Sequence, residues 1–161
     1  MNLAEPVRRH FRGKPCKPYV SPIDVKLSDS DIVQPDLLVV CDAAQIKRTH
    51  IEGQPALVVE ILSPASTAHD RLRKTRLYEQ AGVKEYWIVT PFPSLLEVFV
   101  LDGRSYRLHG VFGKEDALRS PSFPGLELAL DQVFDFPLEP DEQPPAVREP
   151  PAAAYPTRNS R

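Results

Sequence analysis

PALVVEILSPASTAHDRLRKTRLYEQAGVKEYWIV, Pro55 to Val89, is the stretch whose reading decides the fold. It opens on ALVVEIL, Ala56 to Leu62, nearly continuous in apolar residues as a strand buried on both faces tends to be. Ser66 or Thr67 can cap a helix, and Asp70 completes a capping-box spacing from Thr67. The pattern predicts that helix from about Ala68 to Ala81, with Gly82 as its stop. EYWIVT, Glu85 to Thr90, then reads as a second strand. Strand, helix and strand in succession describe a crossover on one sheet.

Working outward, two further β-like stretches precede this unit. They are YVSPIDVKL, Tyr19 to Leu27, and QPDLLVVC, Gln34 to Cys41, the second again nearly all apolar. After it come LLEVFVL, Leu95 to Leu101, with Pro91 and Pro93 marking the turn, and SYRL, Ser105 to Leu108, reached through an Asp102-Gly103 hairpin turn. The expected architecture is α+β, a mixed sheet with a crossover helix after its third strand.

The chain has 161 residues, about one domain's worth and enough to bury a core. Apolar residues make up 42% and charged residues 26%, ordinary globular values. No apolar run approaches the roughly 20 residues of a membrane helix, and Met1 to His10 has no signal-like apolar region. Cys16 and Cys41 stand far apart and are expected as free thiols in a reducing cytoplasm. Seven of the eighteen prolines fall between Pro137 and Pro156, among few large apolar residues. That composition predicts one folded domain over 1–136 and a disordered tail over 137–161.

With a net charge of −2 the protein is no polycation, so any nucleic acid would have to meet local basic patches. Arg8, Arg9, Arg12, Lys14 and Lys17 form one such run, read either as a solvated loop or as a phosphate-contacting surface.

Three charged residues sit where packing alone would not put them. Asp36 opens PDLLVV, and Glu60 ends ALVVE; a carboxylate in a buried strand is costly unless paired or bound to a metal. Lys74 shares one helical face with Asp70, Leu77, Tyr78 and Ala81, the face that carries the helix's apolar residues apart from Leu72. Brought together, the two carboxylates would suit Mg²⁺ or Mn²⁺, and the lysine would stabilise charge developing on a phosphodiester. The alternative is a buried ionic cluster without chemistry.

PDLLVV (Pro35 to Val40), PALVVEILSPAS (Pro55 to Ser66), the D…K…Y helix positions Asp70, Lys74 and Tyr78, and AGVKEYWIV (Ala81 to Val89) together resemble one family. It is the Uma-type restriction endonuclease family, a bacterial branch of the PD-(D/E)XK nuclease superfamily. The likeness runs from about Arg9 to Phe134 and includes FPGLEL, Phe123 to Leu128. It implies a restriction-endonuclease-like core, divalent-metal catalysis and DNA as substrate, with a homodimer as one option. Asp36 matches the first metal-binding carboxylate and Glu60 the acidic residue of the (D/E)XK element. Leu62 stands where that element's lysine would be, and Lys74 takes the lysine's place from the helix. Gln34 and Asp24 are candidates for added ligands or supporting bonds, and Tyr78 and Trp87 are expected as packing residues. The resemblance also implies a glutamate-bearing N-terminal segment that this chain lacks, as a shortened member or a gene begun late.

The histidines His10, His50, His69 and His109 show no ligand spacing; His69 lies nearest the proposed site. No phosphate-binding glycine loop occurs. Ser63 fits turn chemistry better than nucleophilic chemistry, for want of a placed base. Arg71, Arg73 and Arg76 would line a DNA backbone or simply face water. The functional expectation is a cytoplasmic Mg²⁺-dependent DNA endonuclease. Its rivals are an impaired DNA- or protein-binding module on the same fold, or a structural partner that pairs through an exposed sheet edge.

Overall fold

The structure is a computed structural model, and it describes residues 2–135. The expected domain limit at Phe136 and the proline-rich tail therefore lie outside the described residues. In chain order the elements are α1 (Ala4–Phe11), β1 (Lys17–Val20), β2 (Asp24–Lys26), β3 (Ile32–Val33), β4 (Leu37–Val40), β5 (His50–Glu52) and β6 (Leu57–Ile61). They continue with α2 (Ala68–Ala81), β7 (Glu85–Thr90), β8 (Leu95–Asp102), β9 (Ser105–Gly113), β10 (Ala117–Arg119), β11 (Glu127–Ala129) and α3 (Leu130–Val133).

The main sheet has six strands in the order β1-β4-β6-β7-β8-β9. Within it only β6 and β7 run parallel; the other neighbours are antiparallel. The crossover helix α2 joins that parallel pair and follows the third strand of this sheet, so the expected mixed α+β architecture holds. A three-stranded sheet, β3-β2-β5, and the ribbon β10-β11 complete the fold.

Both faces of the main sheet are covered. Leu37, Val39, Leu57, Val59, Trp87 and Val89 point to one face and pack with Leu3, Val7 and Phe11 of α1. Their alternates Leu38, Val40, Val58, Tyr86 and Ile88 point to the other and pack with Tyr78 of α2. This two-sided burial explains the near-continuous apolar runs of β4 and β6, because both parities of side chain must be apolar. Thr67 caps α2 by accepting the Asp70 N–H at 3.1 Å, and Gly82 closes it in the left-handed region at φ 83°.

Four local expectations need correction. The stretch Tyr19 to Leu27 is two strands: after β1 the chain leaves the main sheet, where Pro22 offers no N–H, and β2 joins the small sheet. The stretch Gln34 to Cys41 begins its pairing only after Pro35, leaving β4 shorter, and SYRL extends to Gly113. The basic run does not lie wholly in a loop, because Arg8 and Arg9 sit on α1, whose Leu3, Val7 and Phe11 recur every four residues as a buried stripe. Finally, Cys16 and Cys41 are not free thiols but form a disulfide. The antiparallel register sets Lys17 opposite Val40, which leaves the two cysteines facing each other one residue beyond. Sequence separation hides such a pair; strand register creates it.

Candidate active site

The site lies at the edge of the main sheet where β6 ends. β4 runs antiparallel to β6 with Leu37 opposite Val59, so Asp36, just ahead of β4, falls opposite Glu60. Alternation along both strands turns the two carboxylates toward the face that α2 covers, since Leu38 and Val58 already point there. On α2, Asp70, Lys74 and Tyr78 recur every four residues and share a face. Tyr78 is fully buried against the sheet, while Leu72, off that face, is 58% exposed. The buried tyrosine fixes the helix's rotation and carries Lys74 to the sheet with it.

Glu60 is only 4% exposed, and both of its oxygens are held. Lys74 Nζ donates to Oε2 at 2.8 Å, and the Tyr78 hydroxyl donates to Oε1 at 2.5 Å. Asp36 Oδ2 accepts the Ile61 N–H at 2.7 Å; its Oδ1 has no hydrogen bond among the described residues. Asp36, Glu60 and Lys74 line one open cavity of about 290 Å³, together with Gln34, Asp70 and Arg71. The sequence-based trio is thus brought together.

Burial pushes the Glu60 carboxyl above its ordinary value. The bonds from Lys74 and Tyr78 pull the other way, and the neighbouring Asp36 charge adds to the upward push. The Tyr78 hydroxyl is driven up as well, by burial first and by the Glu60 charge second. It therefore stays protonated and serves as a donor.

The remaining candidates divide. Gln34 lines the cavity but gives its amide to Asp24 at 2.7 Å, so Asp24 stands one residue back, in a neighbouring depression. Arg71 donates through one guanidinium nitrogen to both Glu97 oxygens, at 2.7 and 2.6 Å, and so ties α2 to β8. Arg73 pairs with Asp70 at 3.2 Å. His69 is exposed and does not line the cavity. Ser63 and Ser66 bond to each other within a turn, as expected of turn residues. Trp87 is a core residue, as expected.

Sequence reasoning misses two things. Tyr78 packs as expected, but it also fixes a carboxylate oxygen; its spacing four residues after Lys74 is the available signal. Asp70 has the spacing of a helix-capping residue, yet it also borders the cavity.

Among the described residues, no group of three or more His, Cys, Asp or Glu side chains is placed to hold a metal ion. Any cation would rest on the Asp36–Glu60 pair. These are hard oxygen donors, and a hydrogen-bonded carboxylate oxygen keeps a second lone pair for a cation. Mg²⁺ is commonly bound by one or two carboxylates and keeps several waters, so the pair fits such an ion.

Comparison with known proteins agrees with this geometry. An uncharacterised protein of Synechocystis sp. (strain ATCC 27184 / PCC 6803 / Kazusa) is 28% identical over 127 residues. That match takes in 78% of this chain but spans only 66% of the relative's length. A crystal structure from Anabaena variabilis ATCC 29413, described as a "putative nuclease belonging to DUF820", superposes with a TM-score of 0.66. It covers 81% of this chain and 75% of its own at 16% identity, which shows a shared fold. The profile of the Uma2 family, described as "Putative restriction endonuclease", matches residues 1–131, and the chain belongs to that family.

Proposed function

We propose that the protein is a metal-dependent endonuclease that hydrolyses DNA phosphodiester bonds, with Asp36 and Glu60 holding Mg²⁺ or Mn²⁺ and Lys74 completing the site. The observation that carries this reading is the meeting of two carboxylates and one ammonium in a single open cavity at the end of β6. A bound Mg²⁺ would supply Lewis acidity to the phosphate and acidify a water.

The chain's own residues supply the rest. The Ile61 N–H fixes one Asp36 oxygen and leaves the other without a bond from the described residues. Tyr78 and Lys74 hold the Glu60 carboxylate in one orientation. Lys74 has three N–H donors and spends one on Glu60, so two remain for a phosphate oxygen or for the attacking water. Its positive charge lies where negative charge develops as water adds to phosphorus and a P–O ester bond breaks.

The test is cleavage of supercoiled plasmid by purified protein in Mg²⁺ or Mn²⁺, with EDTA as control. Nicking should require the metal, and Glu60→Ala and Lys74→Ala should each abolish it while circular dichroism stays unchanged. Full activity in either variant would sink the assignment. Salt-sensitive DNA binding without a metal-dependent product would replace it with the binding-module reading.

A further inference from the structure

The cavity around Glu60 is the middle one of three that share walls. Gln34 borders both it and a cavity of about 430 Å³ walled by Tyr19, Ile23, Lys47, Arg48 and His50. Leu62, Ser63 and Ser66 border both it and a cavity of about 320 Å³ completed by Pro64, Pro91 and Phe92.

The chemistry changes along this row. At the first end Lys47 is engaged with Glu52 at 3.3 Å, whereas Arg48 is exposed and makes no ion pair to a described residue. In the middle stand the two carboxylates and Lys74. At the far end the walls are apolar, and Phe92 is 44% exposed. It is the only aromatic ring among the exposed large hydrophobic side chains of the described residues.

The topology accounts for that placement. β6 and β7 are parallel with Ile61 opposite Val89, so the chain leaves both strands at the same sheet edge. The Leu62 N–H extends the pairing by donating to the Val89 carbonyl at 2.8 Å. The two departing segments then diverge and leave a crevice beyond the carboxyl ends of the strands, where open sheets bind ligands.

We infer that this row is the path of one unpaired nucleic-acid strand, with the base beside the scissile phosphodiester stacked on Phe92 and a flanking phosphate met by Arg48. The inference rests on the nuclease reading, because it places the phosphodiester at Asp36, Glu60 and Lys74. A nucleotide's base is covalently tied to its phosphate, so it must lie in a cavity adjoining that of the phosphate. Of the two cavities that adjoin the site, the one at Phe92 offers apolar walls and an exposed aromatic face. In a duplex the same base is stacked and paired and cannot enter without being extruded. An unpaired strand presents it at no such cost, and a ring accepts any base by stacking. The favoured substrate is therefore single-stranded DNA, a flap or a frayed end.

The experiment compares a fluorescein-labelled oligothymidine with a duplex of the same length. Binding to the full chain is read by anisotropy and cleavage is followed in Mg²⁺. The single strand should bind more tightly, and Phe92→Ala should weaken its binding by about 5- to 100-fold. Phe92→Trp should restore it, and duplex binding should not change in either variant. Arg48→Gln should lower the slope of log K against log salt by about 0.7, one phosphate contact's worth on a single strand. Glu60-dependent cleavage that prefers duplex and is indifferent to Phe92 would overturn the path and leave the nuclease reading standing. Absence of any Glu60-dependent cleavage would remove both.

Discussion

Glu60 and Glu85 are both buried carboxylates on the parallel pair at the centre of the main sheet, with 4% and 0% exposure. They differ in everything else. Glu60 lies near the end of β6 and faces α2, whereas Glu85 opens β7 and shares a face with its alternate Trp87, on the α1 side. Glu60 is held by an ammonium and a phenol, has Asp36 beside it and borders an open cavity. Glu85 is enclosed by neutral donors: Trp87 Nε1 at 2.7 Å, the Ser120 hydroxyl at 2.9 and 3.0 Å, and the Ser122 N–H at 2.9 Å. The two serines belong to the segment that runs into β11, so Glu85 pins that segment to the sheet. Burial alone therefore does not mark a site. A second carboxylate, a cation from another element and an open cavity do.

Exchanging charge for amide at the two positions gives the largest expected contrast. Glu60→Gln should reduce cleavage by about 10³-fold or more, the kinetic equivalent of several kcal/mol, with little change in melting temperature. Glu85→Gln should do the reverse. It leaves donors around it poorly matched and should cost about 1–3 kcal/mol of stability, while the folded fraction keeps its specific activity. Urea titration beside plasmid nicking separates the two, and equal loss of activity in both variants would break the contrast. A smaller effect comes from removing one donor on each side. Tyr78→Phe frees one Glu60 oxygen and should lower turnover by about 10- to 100-fold, as loss of a bond that orients a ligand does. Trp87→Phe should appear in stability and not in turnover.

Much of this arrangement is legible in the sequence, because it is local. The limits of α2 and β7 follow from Thr67, Gly82 and the apolar run of EYWIVT, and the same periodicity places Lys74 on the face toward the sheet. Asp36 and Glu60 stand out as charges within apolar strands. What escapes is set by register and by distant partners. Nothing near Glu85 in sequence announces Ser120 or Ser122, thirty-five and thirty-seven residues away. Cys16 and Cys41 meet only because β1 pairs with β4 in one particular register. The short β2, β3 and β5 carry too few residues for a period to show, and the arginines beside its buried stripe obscure α1.

The smallest expected effect is a pH dependence that Glu60 alone should show. Its folded carboxyl lies above the ordinary value of 4.5, chiefly through burial, so the native protein holds this proton more tightly than the unfolded chain does. The corresponding stability is complete below the unfolded value and is lost as pH rises through the folded one. Metal-free protein should therefore lose stability relative to Glu60→Gln as pH is raised from about 4 toward neutrality. Added Mg²⁺ should act in the opposite direction, since a cation binds the ionised carboxylate and its stabilisation grows with pH. Calorimetry of both proteins across that range, with and without Mg²⁺, should give slopes of opposite sign that vanish together in Glu60→Gln. Tyr78→Phe should move the acid limb of cleavage to higher pH, because the lost bond favoured the charged form. An acid limb that stays in place would mean that some group other than Glu60 controls the reaction.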